Sequence, residues 1–188
     1  MLKRVVFLDR DGVINRDSPN YIKSWAEFEF LPGSLEAIAR LTRHGATSIV
    51  ITNQSAVNRG MISRNRLEGM HQRMKSAIRA AGGLITDIFY CPHTPLEGCD
   101  CRKPKPGLIK KACRAYPIDL STAVMVGDSK RDIECGRRAG CGRTLLVTGG
   151  KEANSRQESA RNDQAADFEV ESLGQGVEWI LGYPNENR

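Results

Sequence analysis

Residues 5–15 run Val5-Val6-Phe7-Leu8-Asp9-Arg10-Asp11-Gly12-Val13-Ile14-Asn15. Val5 to Leu8, apolar and rich in β-formers, predict a strand covered on both faces, the pattern of a parallel sheet. That strand leads directly into two carboxylates one residue apart. Two Asp side chains at the end of a buried strand repel each other and lose hydration, so they are tolerated only with a cation, a proton or a ligand between them. Ligands of open α/β sheets gather at the carboxyl ends of the strands. The plain alternative is a turn in which Asp9 and Asp11 merely lead into Gly12.

The pattern recurs further along the chain. Residues 47–51 form a second expected strand that delivers Thr52-Asn53-Gln54-Ser55, four side chains able to hydrogen-bond a phosphoryl oxygen without adding negative charge. Residues 123–126 form another and deliver Gly127-Asp128-Ser129-Lys130-Arg131-Asp132, with Asp132 one helical turn beyond Asp128, placed to support it. Shorter strands are expected at 88–90 and 144–147, and residues 168–170 together with 177–181 are expected to close the core. Between them, apolar residues at helical spacing predict a helix capped by Ser34 (Leu35, Ile38, Leu41), one opened by Ser63 (Leu67, Met70, Met74, Ile78, Ala81), one over 107–116 (Leu108, Ile109, Ala112, Cys113) and one at 177–181. The stretch 149–166 is expected to be a polar loop with a surface helix, and 183–188 a frayed end. His44 and His71 are expected to be structural or exposed.

The 188 residues, 40% hydrophobic, suit a single domain spanning 1–188. No window approaches the ~18 apolar residues of a membrane span, and Lys3-Arg4 followed by four apolar residues is not a secretory signal. A cytoplasmic protein without membrane contact is expected. The formal charge of +6 suits an anionic ligand, but with 6% aromatics and no basic track interleaved with them, nucleic acid is not an expected partner.

Six cysteines fall into two groups. Cys113, Cys135 and Cys141 are scattered and expected in the core. Cys91, His93, Cys99 and Cys101 lie within eleven residues and offer the four ligands of a closed, tetrahedral, structural zinc site. Residues 91–106 thus form a zinc loop, and directly behind its last thiol stand Arg102-Lys103-Pro104-Lys105, either an anion clamp held by the metal or a solvated basic turn. Residues 12–32, irregular and dotted with aromatics, are either a flap over the site or a surface loop.

Taken together, the strand ends place Asp9, Asp11 and Asp128 around one Mg²⁺ site, with Thr52 and Asn53 as hydrogen-bond donors and Arg102 and Lys103 as cations. Phosphoryl transfer is the chemistry best served, because it is accelerated mostly by positioning and charge stabilisation.

Asp9-Arg10-Asp11-Gly12, Thr52-Asn53, Lys103 and Gly127-Asp128 with Asp132 resemble the four ordered motifs of the haloacid dehalogenase (HAD) phosphatase superfamily. The resemblance implies a Rossmann-like three-layer α/β fold with a mainly parallel sheet and no large cap, Mg²⁺, Asp9 as nucleophile and Asp11 as general acid/base. FLDRDGVIN, ITNQS, the Cys-Pro-His loop and CRKPKPG are similar more narrowly to the D-glycero-D-manno-heptose-1,7-bisphosphate 7-phosphatase family of the histidinol-phosphatase subgroup. By that likeness Asp17, Ser18, Pro19 and Asn20 lie in the flap over the sugar, Thr52, Asn53, Gln54 and Ser55 touch substrate, Arg102 aids recognition and Lys103 neutralises the transferring phosphoryl group. It further implies a monomer acting on a small phosphorylated sugar in ADP-heptose and lipopolysaccharide synthesis. Two departures stand out. Some members carry Lys where this chain has Ser129, which Lys130 either replaces or does not, and the zinc loop is short, as in histidinol-phosphate phosphatases. A phosphatase of histidinol phosphate, a nucleic-acid end phosphatase and a zinc-stabilised anion-binding module remain the alternatives.

Overall fold

The computed structural model describes residues 2, 4–149 and 165–182. Six strands form one parallel sheet: β1 (Val5–Leu8), β2 (Thr47–Asn53), β3 (Ile85–Cys91), β4 (Val124–Gly127), β5 (Arg143–Val147) and β6 (Phe168–Val170), in the order β3-β2-β1-β4-β5-β6. From β1 the chain winds one way to β2 and β3, then returns to the other side for β4 onward. The topological switch therefore lies between β1 and β4, where open sheets of this kind leave a crevice at the strand ends.

Side chains alternate across the sheet because strand residues point to opposite faces. Val6, Leu8, Val50, Val124 and Val126 meet α1 (Ser34–Arg43), α2 (Arg64–Ala80) and α5 (Leu173–Gly182) on one face, in a core that includes Ile38, Leu41, Leu67, Met70, Met74, Ile78 and Val177. Val5, Phe7, Ile49, Ile51 and Met125 pack on the other face, against Leu108, Ile109 and Ala112 of α3 (Gly107–Ala115) and Cys135 of α4 (Lys130–Ala139). The result is the expected three-layer fold. Among the described residues no helix is long and apolar enough to cross a membrane.

Two details differ from expectation. Ser34 does not cap α1; the capping position is Gly33 in a left-handed turn (φ 75°), and Ser34 lies buried one residue inside the helix. Ser63 does cap α2, its Oγ accepting from the Arg66 amide at 3.2 Å. β3 is longer than the 88–90 core, because it pairs with β2 out to Asn53 opposite Cys91. The first thiol of the cysteine cluster is thus anchored by the sheet itself. The expected surface helix within 149–166 falls mostly, and the end 183–188 wholly, outside the described residues.

Candidate active site and zinc loop

Asp9 is the first residue past β1, and its amide donates to the Val126 carbonyl of β4 at 2.9 Å, which ties it to the switch point. Its Oδ1 accepts from the Arg10 amide at 2.7 Å, and its Oδ2 lies 2.8 Å from Lys103 Nζ. Lys103 is buried and arrives from the zinc loop on the far side of β2. Its ammonium also donates to the Ile51 carbonyl at 2.9 Å and stands 2.6 Å from Asp132 Oδ1. Asp132 uses its other oxygen to accept from the Ser129 amide and hydroxyl, closing a capping box at the start of α4. A side chain five residues past a strand is thereby locked onto the lysine.

Glycine is required at two points here. A Cβ on Gly12, where φ is +81°, would stand 2.4 Å from Asp128 Oδ2, and one on Gly127 would stand 2.0 Å from Asp132 Cβ.

Oxygens of Asp9, Asp128 and Asp132, all buried, lie within 4.8 Å of one another. Of the expected trio Asp9, Asp11 and Asp128, the Asp11 side chain stands apart from this cluster: Asp132 supplies its third carboxylate, and Asp11 is drawn to other partners. Asp11 Oδ1 accepts from Arg10 Nε at 3.2 Å and Nη2 at 2.9 Å and from Asn15 Nδ2 at 2.9 Å, while its Oδ2 accepts from Gln54 Nε2 at 2.7 Å.

The two neighbouring acids consequently titrate in opposite directions. Burial, reinforced by the charges of Asp132, Asp128 and Asp11 and opposed by Lys103, pushes the Asp9 carboxyl well above its ordinary range. Burial acts the same way on Asp11, but the Arg10 guanidinium and the hydrogen bonds outweigh it and hold that carboxyl low. Lys103 is raised: burial works against its charge, and Asp132 and Asp9 more than compensate.

Three buried carboxylates stand together here, and a cluster of hard oxygen donors suits Mg²⁺. Asp9, Asp128 and Asp132 are the carboxylates close enough together to hold such an ion.

These groups line a cleft of about 300 Å³. Its polar floor includes Asp9, Asp11, Thr52, Lys103 and Asp128, and Asp17, Ser18 and Pro19 come over it from the flap. Thr52 Oγ1 accepts from Gln54 Nε2 at 2.9 Å, which leaves its own hydroxyl proton for a ligand. Ser55 and Arg102 also line the cleft; Asn20 does not. Asn53 and Gln54 line it, but their side chains serve the protein: Asn53 clasps the Lys103 main chain (3.1 and 3.3 Å) and Gln54 bridges Thr52 and Asp11. Sequence reasoning missed Tyr21, Ile22 and Arg131, which line the cleft as well. The spacing of Arg131, three residues past Asp128 on the first turn of α4, was the available signal, and it lines the cleft where Lys130 does not.

The flap is at once pinned and poised. Trp25, Phe28 and Phe30 stack and abut with centroids 4.9–6.2 Å apart, while Asp17, Pro19 and Asn20 are exposed.

In the zinc loop, Cys91 Sγ lies 3.1 Å from Cys101 Sγ, 3.6 Å from Cys99 Sγ and 3.5 Å from His93 Nδ1. All six cysteines are free thiols. Ligands at Zn–S distances of roughly 2.3 Å sit about 3.8 Å apart at the corners of a tetrahedron, so four donors in this packing fit zinc with no open position. Burial, followed by the crowding of Cys101, raises the Cys91 thiol, which a metal would reverse by taking the thiolate. Behind the cluster, Arg102 Nη1 donates to the His93 carbonyl at 3.0 Å.

A parallel sheet with these strand-end carboxylates and this buried lysine defines the class, the HAD-like hydrolases, and the HAD-hydrolase-like family pattern matches residues 100–175. Named D-glycero-beta-D-manno-heptose-1,7-bisphosphate 7-phosphatases from Bordetella bronchiseptica (45% identical, 78% of this chain and 82% of the relative) and Pseudomonas aeruginosa (47%; 79% and 84%) are similar to the chain. A solved D,D-heptose 1,7-bisphosphate phosphatase from B. bronchiseptica, complexed with magnesium and phosphate, superposes with a TM-score of 0.88 at 39% identity, covering 96% of this chain and 99% of that one. The chain belongs to the heptose-1,7-bisphosphate 7-phosphatase family of the HAD-like hydrolases.

Proposed function

We propose that the protein is a Mg²⁺-dependent phosphatase that removes the 7-phosphate of D-glycero-D-manno-heptose 1,7-bisphosphate through an aspartyl phosphate on Asp9. The observation that carries this reading is the meeting of Asp9, Asp128 and Lys103, from three separate parts of the chain, at one cleft beside Asp11 and Thr52.

Asp9 Oδ2 attacks phosphorus, and the bond to the C7 oxygen breaks with its electron pair leaving on that oxygen. Asp11, protonated on entering the cycle, gives that proton to the departing oxygen, then takes one from the water that attacks the aspartyl phosphate and frees Asp9. Lys103 and Thr52 hold phosphoryl oxygens throughout. Mg²⁺ held by Asp9 and Asp128 would offset the phosphate charge and keep Asp9 ionised. Ser18 and Asp17 of the flap, Ser55 and Arg102 supply polar contacts to the sugar.

A single chain carries every one of these groups, which supports a monomer. The reading also places the protein in the cytoplasm, in the supply of ADP-heptose for lipopolysaccharide.

The test is phosphate release from the heptose bisphosphate with Mg²⁺, with ³¹P spectra showing which ester is lost. Release of the 7-phosphate, faster than from histidinol phosphate and absent in Asp9→Ala, is expected. Faster release from histidinol phosphate would sink the substrate assignment.

A further inference from the structure

The reaction core leaves one feature unused: the guanidinium of Arg10, 1% exposed and the largest fully buried side chain. Folding gains nothing from a full charge in the interior, and such a group persists only where partners meet it on all sides. Here it has three. Nε and Nη2 donate to Asp11 Oδ1 at 3.2 and 2.9 Å, Nη1 lies 3.2 Å from His71 Nε2, and the Phe28 ring from the base of the flap covers it with its centroid 5.8 Å from Cζ.

We propose that Arg10 and His71 are positioning residues for Asp11: His71 of α2 accepts from Arg10, and Arg10 fixes Asp11 so that Oδ2 is the oxygen that delivers the proton to the leaving sugar oxygen. This rests on Asp11 being the general acid of the proposed phosphatase.

With Asn15 Nδ2 at 2.9 Å, Oδ1 of Asp11 accepts three hydrogen bonds, which exhausts its lone pairs. Oδ2 accepts only from Gln54 at 2.7 Å, so it has room for a proton. Two Arg10 nitrogens converge on one Asp11 oxygen and fix its place, and the third nitrogen, Nη1, must be satisfied elsewhere or the guanidinium can swing. His71 meets that need as a neutral ring: burial and the adjacent Arg10 charge bring its pKa down to about 3, so Nε2 offers a lone pair. The arrangement thus links α2 and the flap base to the proton-bearing oxygen without either touching substrate. A displacement of the acid by about 1 Å is enough to cost about 10²-fold in rate.

Leaving-group dependence separates this role from a merely structural one. An alkoxide needs the proton that Asp11 supplies, whereas p-nitrophenoxide departs without it. The kcat for heptose bisphosphate relative to that for p-nitrophenyl phosphate is expected to fall about 10–100-fold in His71→Leu, the range of one hydrogen bond to a charged group. His71→Gln, whose amide oxygen can accept from Arg10, should recover most of that ratio. Should His71→Leu fail to fold, Arg10→Lys serves instead, since it keeps the charge and loses the fork on Oδ1; its ratio should fall at least as far. Parallel loss on both esters, or an unchanged ratio, overturns the inference while leaving the phosphatase assignment standing. Wild-type protein that cleaves only the aryl ester has no working acid and overturns both.

Discussion

Among the described residues, the zinc loop and the flap are two long irregular segments at the carboxyl edge of the sheet, and they hold the chain in different ways. Residues 91–106 converge on four donor atoms, so position is dictated by a point: Cys91 is fixed at the end of β3, and Arg102 is tied to the His93 carbonyl. Residues 12–32 are held at their base by packed aromatic rings, while Asp17, Pro19 and Asn20 stay in solvent above the cleft. A lysine that must stand within hydrogen-bonding distance of two carboxylates suits the first method, because coordination tolerates little displacement. A segment that must admit and release a sugar suits the second, because apolar packing at the base leaves the tip unconstrained.

Variants can break this contrast. Lys103→Ala should have the largest effect, lowering kcat by about 10³-fold or more and stability by about 3–5 kcal/mol, because it strands Asp9 and Asp132 as unpaired buried charges; single-turnover kinetics and denaturant melts read the two losses. Phe28→Ala, at the base of the flap, is expected to cost about 3 kcal/mol from the cavity it opens, with activity falling as Arg10 loses its cover. In the zinc loop, Cys99→Ser or chelation should lower stability by about 2 kcal/mol, with activity following zinc content measured by elemental analysis. Full activity and an unchanged Tm after zinc removal would show that the loop positions Lys103 without metal. Ser18→Ala at the flap tip should be smallest: KM two- to fivefold higher at about the same kcat, Tm within a degree. A Tm loss as large as that of Cys99→Ser would mean that the tip is as firmly built as the clip.

Much of the site was legible because carboxylates at the ends of apolar runs conflict with local folding preference. Asp9 and Asp128 announce themselves in that way, four zinc donors within eleven residues do so by their spacing, and Lys103 was legible only as one of the cations behind them. Asp11 and Asp132 were legible as participants but not in their side-chain partners. The expectation that Asp11 joins the cation group follows from its proximity to Asp9 in sequence; the side chain turns instead to Arg10, Asn15 and Gln54, which are brought to it by the loop after β1 and the end of β2. Asn53 and Gln54 looked like substrate contacts because polar residues at a strand end serve a ligand and a neighbouring loop equally well. His71 fell on a helix face otherwise read as core, and nothing in the spacing of α2 shows that Arg10 waits opposite.

The amino-acid order alone determined the parallel sheet, its apolar strands with their charged ends, and the cluster of candidate zinc donors, since these depend on residue type and near neighbours. Only the tertiary structure decided which oxygen faces which cation. Buried charges are ordered by contacts a few ångströms long between groups up to a hundred residues apart in the chain, and those contacts exist only once the sheet and its two helical layers have closed.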